Sequence, residues 1–458
     1  MKVRRALAVL VCAALLPAAA LAEELVMFCD GYSSELNRVF QQEHPEVAVN
    51  TQWDMGMSGE FDDVLVNLVS RNYVYDLFKF SFSTGRARRL GERKYLADLA
   101  QSEVIREAVQ QMPAGIRDRV TNDRGEIFAF PYEISAVNGV MGFNGTVAEA
   151  LGIEKPETWE ELFQLFEDWP YDYADEAEKL GLHLAYNACD LSAERLFARM
   201  FNEYVAAYAD GRNISFATPE FTGLAQNYAR YREVLAGLWD MLDAQEGNAD
   251  WRNALIITDF PLLMDSGDAA RYGDGYEVMP LSVTADPADA IIPMDLNAIS
   301  VCAGAPHAEL AMVYAESLVA SMSDRDRIMF QGGSDDTPVV WEYYESTVRE
   351  NAEIRARIEA EIAEKGESVE LREALEEMDV VDEDTERYRY DYASESIRRY
   401  AALAPCLRTL PTLSFSYYYE EQQNTRFILS QFLEGRSEVQ QFVREFEQVQ
   451  RMMLMEDQ

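Results

Sequence analysis

Only three histidines, His44, His183 and His307, stand in this chain, far apart and outside any H-E-x-x-H pattern. Serine–histidine catalysis or a histidine-held metal would have to be built from them, and the spacing offers neither. Cys29, Cys189, Cys302 and Cys406 lack C-x-x-C spacing, so no zinc site is expected; disulfides and buried thiols both stay open. No G-x-S-x-G elbow, P-loop or G-x-G-x-x-G occurs. A glycosidase needs two carboxylates at a set separation, but with 81 acidic residues some pair always qualifies, so that signal has no weight. The residue types therefore point to binding rather than catalysis, with no metal and no organic cofactor.

Binding side chains must sit where a fold presents them. Residues 25–30, 47–53 and 75–80 read as strands, alternating with helices over 33–42 and 58–69. That alternation implies a mostly parallel sheet covered on both faces. In such sheets ligands bind beyond the carboxyl ends of the strands, which singles out the loops 30–32, with Tyr32, 54–58, and 81–85, with Ser83 and Thr84. Further on, Phe221, Leu224, Tyr228, Tyr231, Leu235 and Leu238 make a helical stripe expected in a core. Residues 291–302 form a long extended run, and 307–322 a helix. Residues 341–400 are acidic and helix-prone, with 376–386 read as a solvated loop. Two helices, 420–433 and 438–453, end the pattern, separated by Gly435.

Residues 125–169 carry the most information. Ile127 to Phe130 is β-prone, Pro131 is expected to stop it, and 137–143 reads as a second strand continuing past Gly139 and Gly142. Thr158 then opens a helix, with Glu161 completing a capping box and Leu162, Phe163, Phe166 and Trp169 on one face. A strand pair passing between packing units, followed by a Pro-x-Thr-Trp-Glu-Glu-Leu helix, resembles the interlobe crossover of the extracellular solute-binding proteins of ABC importers, above all their sugar-binding, maltose-binding-protein-like group. The terminal helix pair, with its Leu-Glu-Gly-Arg turn, is similar as well.

The resemblance implies an α/β, two-lobe periplasmic-binding-protein-like fold (type II), with mixed sheets flanked by helices and lobes joined by crossover strands. Lobe 1 would comprise 23–133, completed by about 296–338; lobe 2 would comprise 134–295, completed by about 339–458. Implied ligand positions follow. Phe80 takes the place of the family's third-strand aromatic, as core or as ligand contact, while Ser83 and Thr84 replace its charged pair. Phe130-Pro131-Tyr132-Glu133-Ile134-Ser135 aligns with the hinge segment, where Ser135 replaces a cleft-facing glutamate. Glu133 would point to the same side as Ser135, and Tyr132 to the other. Asp190 is either a carboxylate for the ligand or a helix cap for the residues from Leu191. Asn297 is a polar interruption in the return strand, either a hinge hydrogen bond or a contact. Leu262 removes a stacking platform that usually follows the proline of the segment Phe260-Pro261. Tyr417, Tyr418 and Tyr419 match a second platform; three successive tyrosines cannot share one buried face, so Tyr417 or Tyr418 is expected to line the cleft opposite Phe80 and near Asp190.

Lys2, Arg4 and Arg5, an apolar run from Ala6 to Ala19 and Ala20-Leu21-Ala22 predict a signal peptide over 1–22, cleaved before Glu23. Removing its three cations takes the formal charge from −41 to −44, a field that repels nucleic-acid phosphates and favours a soluble monomer. The expected function is capture of a small solute, a carbohydrate first, in the periplasm or at the cell surface. Hinge closure then delivers it to ABC permease subunits. A ligand sensor feeding a signalling protein is the alternative on the same fold, and an extracytoplasmic carbohydrate enzyme a third.

Overall fold

The computed structural model describes residues 23–29, 34–53, 60–84, 86–186, 191–209, 214–243, 250–272, 275–366, 368–377, 386, 388–410, 414–416, 418–419 and 423–456. Their packing divides the chain into two units: Met1–Gln111, Val120–Tyr132 and Asn297–Met322 form the first, and Met112–Arg119, Glu133–Leu296 and Ser323–Gln458 the second.

The first unit is built as βαβαβ. Strand β1 (Glu23–Cys29), helix α1 (Ser34–Glu43), strand β2 (Val47–Trp53), helix α2 (Glu60–Val69) and strand β3 (Leu77–Ser81) follow one another. The three strands are parallel, with β1 between β2 and β3, because each returns through a helix. Their apolar runs face helices on both sides, and Leu25, Leu77 and Phe78 are fully buried. Asp76 ties the sheet together at the start of β3: its carboxylate accepts from the Val26 and His307 backbone N–H groups at 2.9 Å each.

The chain changes unit inside β4 (Phe130–Ala136) and again inside β9 (Ile292–Val301). Pro131 does not stop β4, contrary to expectation. Among the described residues β4 has one strand partner, β9, so a missing N–H breaks no second ladder. The expected strand over 137–143 is also interrupted, since Asn138 and Gly139 take left-handed backbone conformations with φ of 62° and 69°. Only β5 (Gly142–Asn144) forms there.

In the second unit, β5 pairs antiparallel with β7 (Ala254–Ile257) and β8 (Tyr276–Val278), and β6 (His183–Tyr186) runs parallel to β7. Helix α3 (Trp159–Asp168) has the predicted capping box: Thr158 Oγ1 accepts from Glu161 N at 3.2 Å, and Glu161 Oε2 accepts from Thr158 N at 3.2 Å. Helices α4 (Ala193–Tyr208) and α5 (Pro219–Asp243) enclose the main core, and the stripe from Phe221 to Leu238 is buried in it as expected. Helix α6 (Ser266–Tyr272) precedes β8.

Two segments expected in lobe 1, Met112–Arg119 and 323–338, group with the second unit instead. Helix α7 (Ala308–Ser321) closes the first unit, but α8 (Asp324–Phe330) and the residues to 338 group with the second unit, not with lobe 1. Asp326 explains this locally: its carboxylate accepts from the Ile134 backbone N–H at 3.3 Å, within the second unit. The acidic insertion forms α9 (Tyr344–Lys365) and α10 (Val369–Glu377), between short strands β10 (Val339–Val340) and β11 (Tyr390–Tyr392), which pair with each other. Strand β12 (Leu407–Thr409) pairs with the first half of β9. Helices α11 (Gln423–Leu433) and α12 (Val439–Glu456) finish the second unit. Among the described residues no helix is long and apolar enough to cross a membrane.

Candidate ligand-binding site

Parallel pairing of β6 with β7 sets Tyr186 beside Ile257, at the carboxyl ends of both strands. Beyond Ile257 the chain continues as Thr258-Asp259-Phe260-Pro261-Leu262, and Phe260 N donates to Val140 O at 2.9 Å. That bond joins the loop after β7 to the turn after β4. Between them lies an open cavity of ≈ 410 Å³ in the second unit, whose lining includes Ser135, Tyr186, Asp259, Arg271, Tyr272 and Arg325. Its place beyond the carboxyl ends of parallel strands is where this class of sheet binds ligands.

The floor is aromatic. Phe260 packs against Tyr272 with ring centroids 5.1 Å apart and against Tyr276 at 5.9 Å. Glycine is required at 142, because a Cβ there would lie 2.6 Å from the Phe260 ring. The Arg271 guanidinium lies 5.1 Å from the Tyr272 ring centroid. Asp268, at the start of α6, has its carboxyl pushed up by burial and by the Asp265 charge, while Arg271 and Arg325 pull the other way. Carboxylate acceptors, guanidinium donors and ring faces in one opening suit a polyhydroxylated solute, which offers hydroxyls to the first two and C–H patches to the third. Among the described residues, no histidine or cysteine lines the cavity.

Of the residues proposed from sequence, Ser135 lines this cavity. Glu133 is half-buried two residues before it in β4, and Tyr132 is buried with the Lys79 ammonium 5.9 Å from its ring centroid. Asn297 is half-buried in β9, opposite Ser81 of β3. Thr84 donates its hydroxyl to Ser81 O at 2.7 Å, closing a local turn. Tyr32, Asp190 and Tyr417 lie outside the described residues, as does the side chain of Ser83.

Two expected ligand aromatics are core residues instead. Phe80 is 0% exposed and packs on Phe78, Phe61 and Phe28, at 5.7, 5.9 and 6.1 Å between ring centroids. Tyr418 is 1% exposed and packs on Phe201 and Phe446 at 5.5 Å each and on Phe216 at 5.8 Å. Tyr418 therefore does not line a cleft opposite Phe80. Tyr419 is half-buried, stacked on Phe415 at 5.2 Å, with its hydroxyl donating to Glu194 at 3.1 Å. The sequence reading missed Tyr186, Asp259, Arg271, Tyr272 and Arg325. The available signal was Asp259-Phe260-Pro261 directly after the apolar run ending at Ile257, a strand end followed by a polar and aromatic loop.

No protein-family model matches the sequence, and no curated protein matches it significantly. Solved structures do match over nearly the whole chain. Maltose-bound MalE3 of T. maritima superposes with a TM-score of 0.54 at 13% identity, covering 94% of this chain and 100% of that one. A putative oligosaccharide periplasmic-binding protein from Synechococcus sp. MITs9220 gives 0.54 at 14%, covering 94% and 98%. An ABC transporter solute-binding protein from Agrobacterium vitis S4, with bound D-mannitol, gives 0.51 at 12%, covering 95% and 99%. At these identities the likeness is one of fold, and the fold of this chain is that of the two-lobe, sugar-type solute-binding proteins of ABC transporters.

Proposed function

We propose that this protein captures a small carbohydrate outside the cytoplasm, closes on it by hinge motion, and hands it to the permease subunits of an ABC transporter without chemical change. The observation that carries the proposal is the cavity of the second unit, where Asp259, Arg271, Tyr272 and Tyr186 converge beyond the ends of β6 and β7. Its mixture of charged hydrogen-bonding groups and ring faces suits sugar hydroxyls and sugar C–H faces. Matches named for maltose, oligosaccharide and mannitol support the same ligand class. Export by the signal peptide over 1–22, a monomeric state, two lobes as the moving parts, and Glu133, Ser135 and Asn297 as further ligand contacts belong to the proposal.

The test is a thermal-unfolding screen of the mature protein against maltose, xylo-oligosaccharides, mannitol, amino acids and polyamines. A ligand at one hundred times its Kd stabilises the folded state by about 2.7 kcal/mol, enough for a clear rise in Tm. A sugar should give that rise and be recovered unaltered. A rise only with amino acids or polyamines overturns the ligand class, and turnover of a reporter glycoside overturns the binding-only role.

A further inference from the structure

Arg199 belongs to α4, is 7% exposed, and is not part of the cavity lining. Its guanidinium nevertheless touches both main-chain segments that make the cavity wall. Nη1 donates to Gly139 O at 3.1 Å and Nη2 to Thr258 O at 3.0 Å. The first carbonyl belongs to the turn after β4 and the second to the loop after β7. The same two segments share the Phe260-to-Val140 bond at 2.9 Å. A Cβ at Gly139 would lie 2.9 Å from Asp259 Oδ1, so the Asp259 carboxylate rests against the bare glycine. The Asp259 charge also acts on the Arg199 guanidinium.

Burying a guanidinium is costly, and an apolar side chain would fill a helix–sheet contact without that cost. Two forked donors spanning two loops explain its presence, because the guanidinium plane fixes the distance between the carbonyls it bridges. We infer that Arg199 is a positioning residue for the binding site: it locks the turn at Gly139 to the loop at Thr258, so that Asp259 faces the ligand in a fixed geometry. This rests on the cavity being the ligand site, and the experiment separates the two claims.

The first arm needs no ligand. Hydrogen exchange of the full mature chain is compared for wild type, Arg199→Met and Arg199→Lys, reading the Phe260 amide against the Ile256 amide in β7. Arg199→Met should speed exchange at Phe260 at least tenfold while Ile256 keeps its protection, and Arg199→Lys, retaining one donor group, should fall between. Unchanged exchange at Phe260, or an equal loss at both amides, overturns the inference. If Arg199→Met does not fold, Arg199→Lys alone decides by the same comparison.

The second arm titrates maltose by calorimetry into wild type, Arg199→Lys, Asp259→Asn and the double variant. Because Arg199 is argued to act through Asp259, the double variant should bind within about twofold of Asp259→Asn alone. Fully additive losses overturn the inference. If maltose fails to bind the wild type, the sugar assignment loses this probe, and the exchange arm still decides the role of Arg199.

Discussion

The second unit holds two aromatic regions of opposite design. One is the large core where Phe197, Phe201, Phe216, Phe221, Tyr418, Phe432, Phe442 and Phe446 meet from α4, α5, α11 and α12 and the segments between them. The other is the small cluster of Ile257, Phe260, Met264, Tyr272 and Tyr276 beneath the cavity. In the first, every ring is enclosed by others; Phe432 and Phe442 stack at 4.0 Å between centroids. In the second, the rings come from one short stretch of chain, and polar groups face the opening above them. Interlocking rings from distant segments make stability, whereas a satellite cluster with one open side makes a surface that a solute can use.

The comparison predicts its largest effect at Tyr418. Tyr418→Ala should cost about 3–5 kcal/mol of unfolding free energy, the usual range for deleting a large buried ring. Urea unfolding measures it. Ligand affinity, compared at equal folded fraction, should not change. A stable variant with weakened binding would move Tyr418 into the second region.

Asp259→Asn should do the reverse. An exposed rim residue leaves stability within about 0.5 kcal/mol. Loss of a charged hydrogen bond to a ligand hydroxyl, about 1.5–3 kcal/mol, should weaken binding roughly tenfold to a hundredfold. Calorimetry with a sugar that raises Tm, beside urea unfolding, checks both parts.

Glu203 sits one turn from Arg199 on α4, against Trp159 of the large core. Burial pushes its carboxyl well above the usual range, opposed by the Trp159 indole N–H, which donates at 2.5 Å, and by the Arg199 charge. Arg199 is pushed down to about 10 by burial, so it stays charged at neutral pH. The sign follows from linkage. A raised folded pKa means the folded state holds its proton more tightly, so stability falls as pH rises from 4.5 through the raised value. The slope is at most about 1.4 kcal/mol per pH unit. Glu203→Gln has no such proton, so its stability relative to wild type should rise across that window. Unfolding curves at several pH values check this; parallel profiles would place the Glu203 carboxylate, ionised, in a better-solvated site.

How much of this was legible depends on range. Local signals held: the Thr158–Glu161 box and the stripe from Phe221 to Leu238 act within one helix, and neighbours in sequence define them. The cavity was largely illegible because it gathers Ser135, Tyr186, Asp259, Arg271 and Arg325 from five separate segments, and one of them, α8, was assigned to the other lobe. Tyr418 failed for a subtler reason. Three tyrosines in a row imply different directions, yet not which direction is inward. That is settled by distant partners: Thr425 donates its hydroxyl to the Tyr418 carbonyl, and Phe201, Phe216 and Phe446 enclose its ring.

Tyr419 tests the boundary between the two designs, with the smallest effect. Its ring belongs to the core edge through Phe415, stacked at an interplanar angle of 16°. Its hydroxyl reaches the exposed side, where Glu194 accepts from it and the Arg426 guanidinium lies 5.7 Å from its ring centroid. Tyr419→Phe keeps the ring and removes only the hydroxyl. A solvent-facing hydrogen bond of this kind contributes about 0.5–1.5 kcal/mol, and exposure puts this one at the low end. Tyr419→Ala also removes the stack, about 0.5–1.5 kcal/mol more, together with the burial of half a ring. The Phe variant should therefore unfold within about 0.5–1 kcal/mol of wild type and the Ala variant clearly earlier, with sugar affinity equal in all three. If Tyr419→Phe weakened binding while leaving the urea midpoint in place, the hydroxyl would be a ligand contact, and the division between a sealed core and an open pocket would have to be redrawn at this residue.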